Sequence, residues 1–241
     1  MRATTEQYLE KFFPGMGLRP FYLTVLSAFL LVIYYYEGSV APRWFLAQGI
    51  QITGIDNVNF HRHLWSHLSA VVLLLIIPLF IVSIAEGWRP NNLGFSVRNA
   101  KKEIMFVELL WLLMIPVICY VASTPAFQKI YPRLRAVDNN MQLFIYFELA
   151  YLIKWIAWEF FFRGFMLFSF AKDMGNKAVL ISTLPFVIMH IGKPEAEILG
   201  SIIAGFVLCY IALRSKSIWP GVLLHWQIAM TMNFFASSWW R

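Results

Sequence analysis

WEFFFRG, Trp158 through Gly164, stands inside a largely apolar stretch that runs from Met141 to Phe170. Its Glu159 and Arg163 are one helical turn apart, where either charge alone is costly among lipid tails or packed helices. A helix satisfies the backbone there, and the i,i+4 spacing lets the two charges satisfy each other. The heptapeptide therefore reads as part of a membrane-embedded helix that has kept an acid and a base for a reason.

The rest of the chain agrees with a membrane setting. Of 241 residues 59% are hydrophobic, 17% aromatic and only 14% charged, and the mean hydropathy is +0.62; soluble domains do not reach such values. Spans are expected at Phe21–Tyr36, Trp65–Ala85, Ile104–Ser123, Met141–Phe170, Ala178–His190, Ile198–Leu213 and Trp219–Phe235. All should be helices, so the fold class is an all-α polytopic transmembrane bundle of about seven to eight helices within one membrane domain. Thr4 and Thr5 offer caps to a short helix carrying Tyr8, Leu9, Phe12 and Phe13, which suits an interfacial N-terminal segment. The first span reads as a retained anchor rather than a cleaved signal.

Two spans have unusual lengths. Thirty helical residues at 141–170 reach about 45 Å, more than a ~30 Å hydrocarbon core, so that helix must tilt, bend or project. The thirteen residues ending at His190 reach only about 20 Å. His190 is then expected at membrane depth, followed by Gly192 and Pro194, which break a helix beside a protein-lined cavity. RPNNLGFSVRNAKK, residues 89–102, is the clearest loop. Asp138, Asn139 or Asn140 is expected to cap the helix that follows. Residues 1–140 thus form an N-terminal group of helices, and 141–236 a core that carries the chemistry.

The net charge of +7 does not point to nucleic acid, because the cations sit in connections between spans. Arg2, Lys11, Arg19, Arg89, Arg98, Lys101, Lys102, Lys172, Lys177, Arg214 and Lys216 fall on one side. Arg43, Arg62, Lys129, Arg133, Arg135, Lys193 and Arg241 fall on the other. This bias places the N-terminus in the cytoplasm, with the inner membrane as the expected location. Cys119 and Cys209 lie within spans and read as core residues rather than a disulfide.

His190 and His225 each sit in a separate apolar span, so with Glu159 three spans contribute one titratable group apiece. Two imidazoles and a carboxylate leave a fourth position for water on zinc, the pattern of catalytic zinc sites, and such an ion activates water for amide hydrolysis. Glutamate with two histidines can also activate water unaided. HRHLWSH, with His61, His63 and His67, is a rival metal candidate, but no carboxylate follows in a zincin pattern. Lys154, five residues before Glu159, points around the helix from it and reads as a snorkelling residue or one bonded to another helix.

WEFFFRG, FVIMH (Phe186 to His190) and HWQIA (beginning at His225) together resemble the three signatures of the CAAX protease and bacteriocin-processing (CPBP, or Abi) family. Those run Glu-Glu-x-x-x-Arg, Phe-x-x-x-His and His-x-x-x-Asn on successive helices, and the likeness covers about residues 141–236. The resemblance implies an intramembrane endopeptidase acting on a membrane-associated polypeptide in the lipid bilayer. Glu159, Arg163, His190 and His225 would be catalytic, Glu159, His190 and His225 would be metal ligands, and Phe186 would be a supporting residue. Glu197 and Asn233 are further candidates for the surrounding shell. Trp158 stands where the family has its first glutamate and Ala229 where it has asparagine. These departures keep open a non-catalytic alternative, a transporter or a scaffold with a degenerate protease site.

Overall fold

The computed structural model describes residues 4–98, 100–138 and 140–240. Arg2, Asn139 and Arg241 lie outside the described residues. Nine helices of eight residues or more are present among them, and no strand. They are α1 (Thr5–Phe12), α2 (Leu18–Gly38), α3 (Arg43–Thr53), α4 (Val58–Glu86), α5 (Ala100–Ala122), α6 (141–174), α7 (Ala178–Ile188), α8 (Glu195–Ser215) and α9 (Trp219–Ala236). Helices α2, α4, α5 and α8 are each long and apolar enough to cross a bilayer, and the chain is an integral membrane protein.

α1 is held by the expected cap: Gln7 N donates to Thr4 Oγ1, and Gln7 Oε1 accepts from Thr4 N. Asn140 caps α6 by accepting from Leu143 N at 2.9 Å. α3 was not among the expected elements, since RWFLAQGIQIT is neither long nor uniformly apolar. It folds back on α4, where Thr53 Oγ1 and His61 Nε2 are 2.9 Å apart.

α6 is the axis of the bundle, with α4, α7, α8 and α9 packed around it. Its length is absorbed without a break. Met141–Glu159 is α-helical, Phe160–Leu167 winds as a wider π-helical segment, and Phe168–Met174 returns to α. Every residue from Phe160 to Leu167 is buried, so the wider turns occur where neighbours press on all sides. Such irregular turns commonly mark functional segments.

α7 is indeed short, and a non-helical loop follows it from Met189 to Pro194. At the end of the bundle nearest the N-terminus, Arg19 ties α2 to α4 and α6. Its guanidinium donates to Glu86 (2.6 and 2.8 Å), to Ser169 O (2.8 Å) and to Asp173.

The 89–102 connection is less of a free loop than its composition suggests. Pro90–Leu93 makes a short 3₁₀ turn, Leu93 is fully buried, and Gly94 takes φ 86°, a conformation that side-chain-bearing residues rarely adopt. Ile218 N donates to Gly94 O (2.9 Å), and Trp219 Nε1 donates to Phe95 O (3.0 Å). Gly164 allows the close approach, because a Cβ there would lie 2.7 Å from Leu93 O. The segment is a wedge driven against the π-helical part of α6.

Candidate active site

Glu159 and Arg163 project from the last α turn and the first π turns of α6, and both are completely buried. Arg163 Nη1 donates to Glu159 Oε1 at 3.2 Å. His225, six residues into α9, donates from Nδ1 to the same oxygen at 2.8 Å. A carboxylate oxygen can only accept, so the His225 proton is on Nδ1 and Nε2 keeps its lone pair. The imidazole is further fixed by stacking on Trp155, with ring centroids 3.8 Å apart.

His190 lies just past the end of α7. Its Nδ1 is 2.8 Å from Phe186 O, and since a carbonyl only accepts, this imidazole too carries its proton on Nδ1 and offers Nε2 as an acceptor. Phe186 is the common wall: its ring centroid is 4.7 Å from that of His190, 5.9 Å from that of His225 and 4.1 Å from the Arg163 guanidinium carbon. The four polar residues singled out in the sequence therefore meet around one phenylalanine. Glu159 and Arg163 form the floor, and the half-buried histidines form the accessible rim.

The expected ligand set for zinc fits less well. The two imidazoles present lone pairs in the way metal-binding histidines do. Glu159, however, spends Oε1 on Arg163 and His225, and its Oε2 is buried against Gly221 with no hydrogen-bond partner. No three His, Cys, Asp or Glu among the described residues are grouped so as to hold a metal ion, and two donors do not make a zinc site. The rival histidines do not gather as a set of three: the His63 and His67 rings are neighbours, with centroids 6.2 Å apart, but each has its own partner and His61 turns to α3. His61 pairs with Thr53, His63 Nε2 lies 3.0 Å from Arg133 O, and His67 stacks on Tyr151.

Trp158 packs against Tyr34, Trp155 and Phe162, so an aromatic cluster fills the position of the family's first glutamate. Glu197 is not bonded to His190. It accepts from Tyr131 Oη (2.8 and 2.9 Å) and pairs with Lys193 (2.7 Å) in the first turn of α8. Asn233 lies in the last turn of α9 but is not solvated there. It is buried, donates to Glu148 Oε1 at 2.6 Å and accepts from Arg133 N at 2.9 Å. Nothing in the local sequence of Glu148 and Asn233 points one to the other across 85 positions.

A cavity of about 1190 Å³ lies elsewhere, lined by Arg19, Glu86, Asp173 and Pro185 at the N-terminal end of the bundle. It contains none of the four converging residues. The convergence of polar groups in an apolar interior, rather than volume, marks the candidate site.

Residues 140–231 match the family model described as type II CAAX prenyl endopeptidase Rce1-like. The segment is Rce1-like. It begins at the cap of α6 and ends in α9, so it encloses Glu159, Arg163, His190 and His225 and leaves out α1 to α5. No curated protein and no solved structure matches the chain. The Rce1-like match agrees with the three motifs and supports a membrane-embedded protease of the CAAX type.

Gly221 ties the Rce1-like site to the helix that carries His225. A Cβ at this position would stand 2.9 Å from Glu159 Oε2, closer than such atoms approach without displacement. Gly221→Ala is expected to lower cleavage about tenfold through a shifted carboxylate, about 1.4 kcal/mol in barrier. Because alanine favours the helix over glycine, stability should change little. Cleavage rates set beside thermal unfolding in detergent check this; an equal loss of both would place the effect in the fold.

Proposed function

We propose that the chain is an intramembrane endopeptidase that hydrolyses a peptide bond of a membrane-associated polypeptide, with Glu159 and His225 acting as a coupled pair. The observation that carries this reading is the 2.8 Å bond from His225 Nδ1 to the fully buried Glu159. A carboxylate bonded to Nδ1 fixes the tautomer and orientation of an imidazole and stabilises its protonated form. His225 Nε2 then accepts a proton from water as the water oxygen attacks the scissile carbonyl carbon. The same nitrogen returns that proton to the departing amine as the C–N bond breaks.

His190, with its own Nε2 lone pair, orients the attacking water. Arg163 is a positioning residue that holds Glu159 ionised in a dry environment. This assigns Glu159 the support of a histidine base, which requires no first glutamate at position 158. The scheme balances with water alone. Zinc is not used in it, because Glu159 is already engaged.

The test follows new chain termini among membrane proteins, by mass spectrometry, in cells producing the native chain, Glu159→Gln, His190→Ala or His225→Ala. Termini present with the native chain and lost in all three variants are the expected result. A set of termini identical in all four samples removes the protease reading and leaves a scaffold or transporter, the alternative that the packed Trp158 favours. Metal analysis of the purified chain accompanies it: one zinc per chain, absent from His190→Ala and His225→Ala, would replace the unaided histidine base.

A further inference from the structure

Of the four converging residues, His190 alone stands outside a helix, in the loop 189–194 that follows α7. Its ring is fixed by Phe186 O, 2.8 Å from Nδ1, but its backbone depends on the loop. His190 O accepts from Lys193 N (3.0 Å) and closes a turn through Gly192, whose φ of 93° is one that side-chain-bearing residues rarely adopt. A four-residue turn closed by one backbone bond does not hold its shape by itself, because the entropy of the free loop exceeds what that bond returns. What fastens Lys193 therefore fixes His190.

The fastening comes from two other segments. Lys193 Nζ donates to Tyr131 Oη (2.8 Å) and to Glu197 Oε1 (2.7 Å), and Tyr131 Oη donates to Glu197, whose oxygens lie 2.8 and 2.9 Å away. The three groups close a ring of charge-assisted hydrogen bonds, and the ammonium lies 5.2 Å from the centroid of the tyrosine ring. An exposed i,i+4 pair of lysine and glutamate would contribute little. Here the hydroxyl that joins them belongs to a residue only 4% exposed.

Tyr131 is itself a firm post. It stacks on Phe127, with centroids 6.1 Å apart, and two residues later Arg133 is bonded on both sides of its backbone. Arg133 N donates to Asn233 Oδ1 in α9 (2.9 Å), and Arg133 O accepts from His63 Nε2 in α4 (3.0 Å). Tyr131 lies outside residues 140–231, the segment matched by the family model, so a connection that the match does not cover reaches the loop bearing His190.

We propose that Tyr131 and Lys193 are positioning residues for His190, clamping the 190–193 turn so that the imidazole keeps its place against Phe186 and orients the attacking water. The role of the water rests on the endopeptidase reading; the clamp rests on the hydrogen bonds alone.

The experiment uses the full chain in detergent micelles and has two readouts. Hydrogen exchange followed by mass spectrometry reports the amides of residues 190–193. Cleavage of a quenched fluorogenic peptide, built on a site found among the new chain termini, reports kcat and KM. Tyr131→Phe keeps the ring and deletes the hydroxyl. It is expected to speed exchange at the Lys193 amide about tenfold, the effect of one lost hydrogen bond to a charged group. It should also lower kcat about tenfold with KM unchanged, as a misplaced group in the transition state does. Lys193→Met should act in the same way, and Lys193→Arg, which keeps the charge and the donors, should recover most of both. In a His190→Gln background Tyr131→Phe should cost less than about twofold, because the side chain it positions is gone.

Unchanged exchange at 190–193 in both Tyr131→Phe and Lys193→Met overturns the clamp. A kcat loss that persists in full in the His190→Gln background overturns the positioning role. Should Tyr131→Phe fail to fold, the contrast between Lys193→Met and Lys193→Arg decides the same question. Faster exchange in the variants of a chain that cleaves no membrane protein would sink the endopeptidase reading and leave the clamp standing.

Discussion

Glu159→Gln is expected to lose cleavage by about 10²–10⁴-fold, the range in which a positioned acid–base group contributes, and to lose stability as well. The amide removes the charge that compensates Arg163, which is fully buried with Nε and Nη2 already without partners. An uncompensated buried charge costs on the order of 3–5 kcal/mol. The two losses have different origins, and a second substitution separates them. Glu159→Gln/Arg163→Met removes the stranded guanidinium and should regain most of the stability, since replacing both members of a buried pair is often close to neutral. Activity should stay at the level of Glu159→Gln. Cys209 is buried and Cys119 partly so, and both are free thiols, so a thiol-reactive fluorophore followed on heating reports unfolding directly. Recovery of cleavage in the double variant would show that Glu159 serves only to neutralise Arg163.

Replacing His225 by glutamine should lower turnover by a similar factor, about 10²–10⁴-fold, for a different reason. Glutamine can keep a hydrogen bond to Glu159 Oε1, so the carboxylate stays in place, but it has no nitrogen able to carry a proton away from water. Substrate binding should be nearly unchanged and the loss should fall on kcat, because the missing interaction belongs to the transition state. His190→Gln should cost less, since this imidazole is anchored to its own helix carbonyl at Phe186 rather than to the acid. Equal kcat losses at 190 and 225 would mean that the two histidines do the same job, contrary to the coupled pair. Single-turnover cleavage with saturating peptide distinguishes these outcomes.

The helices of the seven expected spans were legible, four of them long and apolar enough to cross a bilayer, because hydrocarbon imposes one solution on a long apolar run, a helix whose hydrogen bonds are internal. Even the two misfit lengths were legible, since rise per residue turns a count into a depth. α3 was hidden because its residues obey no single period and its stability comes from folding back on α4. The 89–102 segment was misread for a related reason. Gly, Pro and Asn describe a backbone that turns, and they do not say whether the turn faces water or, as Leu93 and Gly94 do, packs against α6 and α9.

At the site, Glu159, Arg163, His190 and His225 could be chosen in advance because each is costly in an apolar helix. Their partners could not. Which oxygen His225 would take, and that Asn233 would satisfy Glu148 rather than the histidines, depends on how α9 is rotated against α6. Lys154 was visible as an anomaly, but its seat over the rings of Tyr151, Trp155 and Trp158 emerges only when the side chains have been placed.

Leu93, Gly94 and Phe95 close the bundle against α6 and the start of α9 on the N-terminal side, while the 129–137 connection meets the other end of α9 through the bond from Arg133 N to Asn233. Water reaching the half-buried histidines from their exposed side would carry protons across a bilayer if the opposite end stood open as well. The packed 93–95 segment closes that end, so water for hydrolysis would enter from a single compartment and leave the membrane energised. Liposomes carrying the protein should therefore hold an imposed pH difference as long as protein-free ones do.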